Sequence, residues 1–253
     1  MDGVDLAPAD RGVILAGRPP IGVPWQQLAA ACGGRSPVSP AGRRRMAGLL
    51  RLSRRFADLG ADAADRLLAD VVVMALPPGH VDHLGPTWTQ RQLPGGALCL
   101  GLGVRGLLDE ETMPVPAGVL AALGVPVADC WPVARARSER MSGLAVQQVG
   151  RAGTHTGVLH PVGGCDVLTL LIGAPLRAAL ADGDGTGMRA LAVPNRTRGW
   201  FDLARVDPAY VALAWRLTDE QERGLPRPLL VTRDEVVLPA ERGDLSRHAV
   251  ERA

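Results

Sequence analysis

Lysine is missing from this chain, and all 28 of its basic residues are arginine. Schiff-base and pyridoxal chemistry, which ordinarily need a lysine amine, are thereby excluded. Aromatic residues make up only 3%, with one tyrosine and two phenylalanines, so a stretch that concentrates them marks a place where large side chains pack. Apolar runs are short: "VVVMAL" stops at Pro77 and "VLTLLIG" stops before Pro175, well below the roughly 18 residues of a membrane-crossing helix. The opening "MDGVDLAPADRG" carries acids where a secretory signal carries positive charge ahead of an apolar stretch. A cytoplasmic location and no membrane partner are the expectations. Cys32, Cys99, Cys130 and Cys165 form no C-x-x-C pair and no metal-finger spacing, so they are expected as buried, reduced thiols. The nucleophile elbow G-x-S-x-G, the P-loop G-x-x-x-x-G-K and the metalloprotease H-E-x-x-H are all absent.

With 47% hydrophobic and 21% charged residues, the 253-residue chain has a globular composition and enough length for a sizeable core. Arginine-only basicity beside abundant alanine, glycine and proline reads as the coding bias of a GC-rich bacterial genome. Apolar spacing and turn residues predict strands at "GVILAG" (12–17), "DVVVMAL" (70–76), "GGALCLGLGV" (95–104) and "RALAV" (189–193). The unbroken run in "DVVVMAL" suits a strand covered on both faces. Helices are predicted at "PWQQLAAAC" from Pro24, "AGRRRMAGLLRLSRRFADLG" (41–60), "DAADRLLA" and "PAGVLAALG", the last closed by Gly124. Further helices are predicted from Pro132 to Gly150, at "APLRAALADG" and at "DPAYVALAWRL" (207–217), and "RPLLVTRDEVVLP" predicts a hairpin turning near Arg233 and Asp234. The irregular alternation predicts an α/β or α+β fold, a mixed sheet with helices packed on it, as a single compact unit or two closely packed lobes. Residues 1–240 are read as one domain, with any lobe boundary near 125–132, and 241–253 as a frayed C-terminal tail.

Four stretches carry chemistry. "GHVDHLG" (79–85) places His80, Asp82 and His83 directly after a buried-strand candidate. It resembles the second half of the H-x-H-x-D-H motif of the metallo-β-lactamase superfamily, with Pro78 standing where the motif's first histidine would fall. The resemblance implies a zinc-like divalent metal held by His80, Asp82 and His83 and activating a water for hydrolysis. "GTHTGVLHPVGGCD" would then supply His155, with His160 and Asp166 nearby. "GLGVRG" (101–106) has the outline of a dinucleotide fingerprint, with Asp129 about twenty residues on. Pro114 and Pro116 interrupt the helix that should follow, so a bulge or turn is expected there instead.

"QQLAAACGGRSPVSPAGRRRM" has the order of a helix-turn-helix, but Pro37 and Pro40 sit where its recognition helix should already run. What survives is a helix carrying Arg43, Arg44, Arg45, Arg51, Arg54 and Arg55, able to touch phosphates. "NRTRGWFDLARVDPAY" (195–210) sets Arg196, Arg198 and Arg205 beside Trp200, Phe201 and Tyr210. Within it "NRTRGWFD" (195–202) is expected as a loop at a strand end with Trp200 largely buried, and the functional reading has guanidinium forks binding an anion against an indole wall. The preferred reading of the stretch is structural, with Trp200 and Phe201 capping the core and the arginines paired to Asp202 and Asp207.

A net charge of +2 provides no global field for nucleic acid. The leading expectation is a soluble cytosolic protein that binds an unknown protein partner or a small anionic ligand, through Arg196, Arg198, Trp200 and Arg205, without a recognisable catalytic centre and with no cofactor. A metal-dependent hydrolase at residues 80–83 is the first alternative, and a nucleic-acid-binding protein using the arginine helix 43–55 is the second.

Overall fold

The computed structural model describes residues 6–18, 20–32, 36–77, 90–92, 98–108, 111–115, 117–150, 157–183, 185–201, 224–225 and 228–238. Its helices and antiparallel sheets make a mixed α/β or α+β fold. The predicted helix 207–217 and the C-terminal tail 241–253 lie outside the described residues.

The chain opens with a three-stranded meander, β1 (Leu6–Ala9), β2 (Gly12–Leu15) and β3 (Ile21–Pro24). Two helices follow, α1 (Trp25–Ala31) and α2 (Pro40–Asp58). Ser39 caps α2 by accepting from the Gly42 N–H at 3.0 Å, and Pro40, which has no N–H to lose, fits the first turn. A 3-10 turn at Gly60–Asp62 leads to α3 (Ala63–Asp70) and then to β4 (Val71–Leu76). β4 pairs along its whole length with β6 (Cys99–Leu108), whose other edge carries β5 (Gln90–Gln92) and β7 (Glu111–Pro114). After α4 (Ala117–Ala122) comes the 24-residue helix α5 (Val127–Gly150). The last sheet runs in the order β12-β11-β9-β10-β8, built from β8 (Gly157–Leu159), β9 (Met188–Asn195), β10 (Arg198–Phe201), β11 (Leu229–Thr232) and β12 (Val236–Val237). Between β8 and β9 lie the short helices α6 (Val167–Leu170) and α7 (Ala174–Asp182).

Every residue of β4 is buried, as its apolar run predicts, although the strand is antiparallel. Val71 and Val73 join a cluster with Leu15, Phe56 and Leu67, whereas Val72 and Ala75 join one with Leu159, Leu191 and Phe201. α5 divides in the same way, with Cys130, Trp131 and Ala134 in the first cluster and Met141 and Ala145 in the second.

Among the described residues one edge of β4 has a strand beside it, so the backbone groups on the other edge find partners elsewhere. α5 and α6 provide them through side chains. The Arg137 guanidinium donates to the carbonyls of Val71 (2.6 Å) and Leu68 (3.3 Å). Ser138 Oγ accepts from the Val73 N–H at 3.0 Å and donates to the Val73 carbonyl at 3.3 Å. Thr169 Oγ1 accepts from the Ala75 N–H at 3.3 Å. These bonds reach alternate residues of the strand, as a ladder requires.

The structure corrects two expectations and bears out a third. α5 begins at Val127, so Pro132 lies inside the helix rather than at its start. An interior proline costs about 3 kcal/mol, but the additional turn buries Cys130 and Trp131, and burying large apolar side chains contributes about 1.5–3 kcal/mol each. "GLGVRG" lies wholly within β6, and β7 is the next described element, in keeping with the bulge or turn expected there. Its pairing with β7 shifts register between Val104 and Leu108, which is the bulge that the glycines allow. Finally, "NRTRGWF" is a β9–β10 hairpin, not a loop at a strand end: Arg196 and Thr197 form the turn, and Trp200 lies in the strand, half-buried.

The buried aromatic is Phe201, and its packing explains a glycine. Gly157 is its cross-strand partner, where any Cβ would stand 1.8 Å from the ring. The Arg189 guanidinium covers the ring at 5.1 Å from its centroid.

Two stability series test this account. Ser138→Ala leaves the N–H and carbonyl of Val73 buried without partners and should cost about 1–3 kcal/mol, whereas Gln148→Ala, at an exposed bond to His160, should cost under about 1 kcal/mol. Phe201→Ala should cost about 3–5 kcal/mol, with Trp200→Ala clearly smaller. Urea unfolding measures all four, and equal losses at Ser138 and Gln148, or at Phe201 and Trp200, would contradict the packing described.

Candidate ligand groove along α5

The outer face of α5's first half presents Ala128, Trp131, Pro132, Arg135, Ala136 and Glu139, which are spaced as one helical stripe. Opposite it stand Val73 of β4, Leu100 of β6 and Ile172. Val73 and Leu100 share a sheet face because the β4–β6 register pairs Val73 with Leu102 and Ala75 with Leu100. Between stripe and sheet lies a groove of about 670 Å³, within the range of small-molecule sites. Pro132 has no N–H to give the Ala128 carbonyl, so the helix is missing one of its own bonds where it lines the groove.

Two devices hold this wall in place. The Arg177 side chain donates to the carbonyls of Leu171 (3.0 Å) and Ile172, fixing the turn that carries Ile172. Burial pulls the Arg177 pKa down, against the opposing pull of Glu139 and Asp234. The Glu139 carboxylate accepts from the Ala174 N–H at 3.2 Å, at the start of α7, which occupies that charge with a helix-terminal donor. Arg135 is exposed, and among the described residues it has no hydrogen bond or ion pair. The groove thus offers apolar walls, one available guanidinium and one anchored carboxylate, and its described lining includes no serine, cysteine or histidine.

The residues singled out from sequence fall elsewhere. Arg196 is half-buried in its turn, where its carbonyl accepts from the Val167 N–H at 3.1 Å. Arg198 is exposed and Trp200 half-buried on β10. Asn195 closes the turn by accepting from Thr197 N at 3.1 Å and Thr197 Oγ1 at 2.8 Å. Arg205, Asp202, Asp207 and Tyr210 lie outside the described residues, as do His80, Asp82, His83 and His155. Among the described residues no three His, Cys, Asp or Glu side chains gather as metal ligands. Asp166 instead caps α6, accepting from the Thr169 N–H at 2.9 Å, and His160 is exposed. Arg135 and Glu139 have helical spacing within the helix predicted from Pro132, whereas Trp131 lies ahead of that predicted start. Nothing in that spacing tells a groove wall from a solvent face.

The four cysteines are free thiols, and Cys32, Cys130 and Cys165 are buried. Cys165 sits in a loop held by Arg105, which donates to the Gly163 carbonyl at 2.9 Å and pairs with Asp70 at 3.1 Å. Burial, with Asp166 adding to it, pushes the Cys165 thiol up to about 12, against the opposing pull of Arg105 and Arg137. Burial also raises the Cys130 thiol, with Asp129 adding to it.

Comparison with protein-family models, with curated proteins and with solved structures found no match for this chain. The functional reading therefore stands on geometry and charge. Among the described residues, no helix is long and apolar enough to cross a membrane.

Cys165 makes stability depend on alkaline pH. The unfolded thiol ionises near its ordinary 9.0 while the folded one keeps its proton to about 12, so the unfolded state binds fewer protons in that window and stability falls as pH rises through it. Unfolding free energy measured between about pH 8 and 10.5 should decline in the parent and decline less steeply in Cys165→Ala. Identical slopes would show that the thiol is not desolvated as described.

Proposed function

We propose that the protein binds a small anionic ligand with an apolar body, the body lying along Val73, Leu100, Trp131 and Ile172 and the anionic group meeting Arg135. The observation that supports this reading is the pairing of apolar walls with one guanidinium that has no internal partner among the described residues. Ligand sites of this kind combine a mostly apolar lining with a few polar groups that fix orientation. A guanidinium binds carboxylate or phosphate through paired N–H donors, and such charge-assisted bonds contribute about 1.5–3 kcal/mol. Glu139 disfavours a second anionic group further along the helix, so a single terminal charge fits best. Binding without conversion is proposed, the described lining holding no nucleophile beside a base. The proposed setting is the cytoplasm, where free thiols such as the four here persist.

Displacement of anilinonaphthalene sulfonate, followed by fluorescence, tests the reading with two competitors of equal chain length, octanoate and octanol. Octanoate should compete at lower concentration in the parent. Arg135→Gln should raise its midpoint by about tenfold, the loss of one charge-assisted bond, while leaving that of octanol unchanged. Equal competition by the two, or an Arg135→Gln variant indistinguishable from the parent, would sink the proposal.

A further inference from the structure

Helix α2 sorts its residues cleanly. Phe56, Ala57 and Ser53 are buried, and Met46, Leu49 and Leu50 pack partly buried against the same cluster. Arg43, Arg44, Arg51 and Arg55 are exposed. At about 100° per residue Arg44, Arg51 and Arg55 fall within about 40° of one another, opposite the buried side, and the four arginines span about 18 Å of helix. Arg54 is occupied internally, paired with Asp58 at 2.8 Å and donating to the Ala16 carbonyl at 2.9 Å. Among the described residues the four exposed arginines have no hydrogen bond or ion pair. α2 carries six arginines against one aspartate, while the remainder of the chain carries 22 arginines against 25 acids. The positive field is thus concentrated on this one helix although the whole chain is close to neutral.

Between Arg44 and Arg51 the surface drops to Ala47 and Gly48. A Cβ at Gly48 would meet nothing within 4 Å, so no packing inside the molecule requires glycine there. Glycine in a helix interior is unfavourable, and a bare patch between two cations lets an external backbone approach closely.

We propose that the α2 arginine stripe docks on the phosphate backbone of duplex nucleic acid, without reading its sequence. The stripe has guanidiniums, which bind phosphates and, of the base edges, guanine's, and no asparagine or glutamine to read adenine. A row of cations along one helix face suits a regular row of phosphates. An anionic membrane is the weaker match, because α2's apolar face is already spent on the core and none is left to enter a bilayer.

The test is fluorescence anisotropy of the full chain with a labelled 20-base-pair duplex of about 50 mM salt upward, beside sedimentation with vesicles containing phosphatidylserine. The duplex should bind, random and repeated sequences alike, with the logarithm of affinity falling against the logarithm of salt at a slope of about −3. The triple variant Arg44→Gln, Arg51→Gln, Arg55→Gln should weaken duplex binding at least tenfold at about 50 mM salt, with an unchanged thermal melt because all three side chains are exposed. A control of equal charge loss, Arg11→Gln, Arg66→Gln, Arg140→Gln, should weaken it less than threefold. Absence of duplex binding at low salt, equal losses in the two triple variants, or capture by vesicles but not by duplex would each overturn the proposal.

Discussion

Helix α5 satisfies the backbone of several segments other than its own, and the rest of the molecule depends on that. From one helix, Arg137 and Ser138 meet the open edge of β4, and Ser142 donates to the Gly173 carbonyl and accepts from Leu176 N, both at 3.1 Å. Glu139 reaches the start of α7, and Gln148 bonds both the N–H and the carbonyl of His160 just past β8. A fully buried strand with one unpaired edge would ordinarily leave a row of N–H and carbonyl groups without partners, each costing about 1–3 kcal/mol. Short polar side chains on a packed helix supply what a neighbouring strand would have supplied. They also close that edge to strands from other molecules.

This arrangement ties two hydrophobic clusters together. β4 contributes Val71 and Val73 to one and Val72 and Ala75 to the other, and α5 contributes to both, so the two clusters share a strand and a helix. The C-terminal sheet adds its own constraint at Gly157, where Phe201 occupies the space that a side chain would need. Sheet register, ring and arginine cover are then fixed together.

The groove and the arginine stripe follow from the same division of labour. α5's buried side holds the strand edge, which leaves its other side, with Pro132 and Arg135, to form a wall against Val73 and Leu100. α2 has no such second task. Its apolar side rests on the core and its arginines face outward, so a field that is nearly cancelled in the net charge persists locally.

Local pattern alone determined much of the fold. The continuous apolar run foretold a doubly covered β4, the glycines and prolines bounded α4 and α7, and the turn at Arg233 and Asp234 between β11 and β12 was written in its residues. Those features depend on neighbours in sequence, where propensity and turn chemistry act. Tertiary packing decided what depended on distant partners. Burial of Cys130 and Trp131 carried α5 back through a proline that reads as a helix start. β7, pairing at Leu108, carried the strand predicted to end at Val104 on to Leu108. The choice of Phe201 over Trp200 as the core aromatic rested on Gly157, more than forty residues away, since only the cross-strand register brings that empty position beneath the ring. The groove was likewise invisible in sequence, because its two walls are separated along the chain and meet only when α5 closes over the open edge of β4.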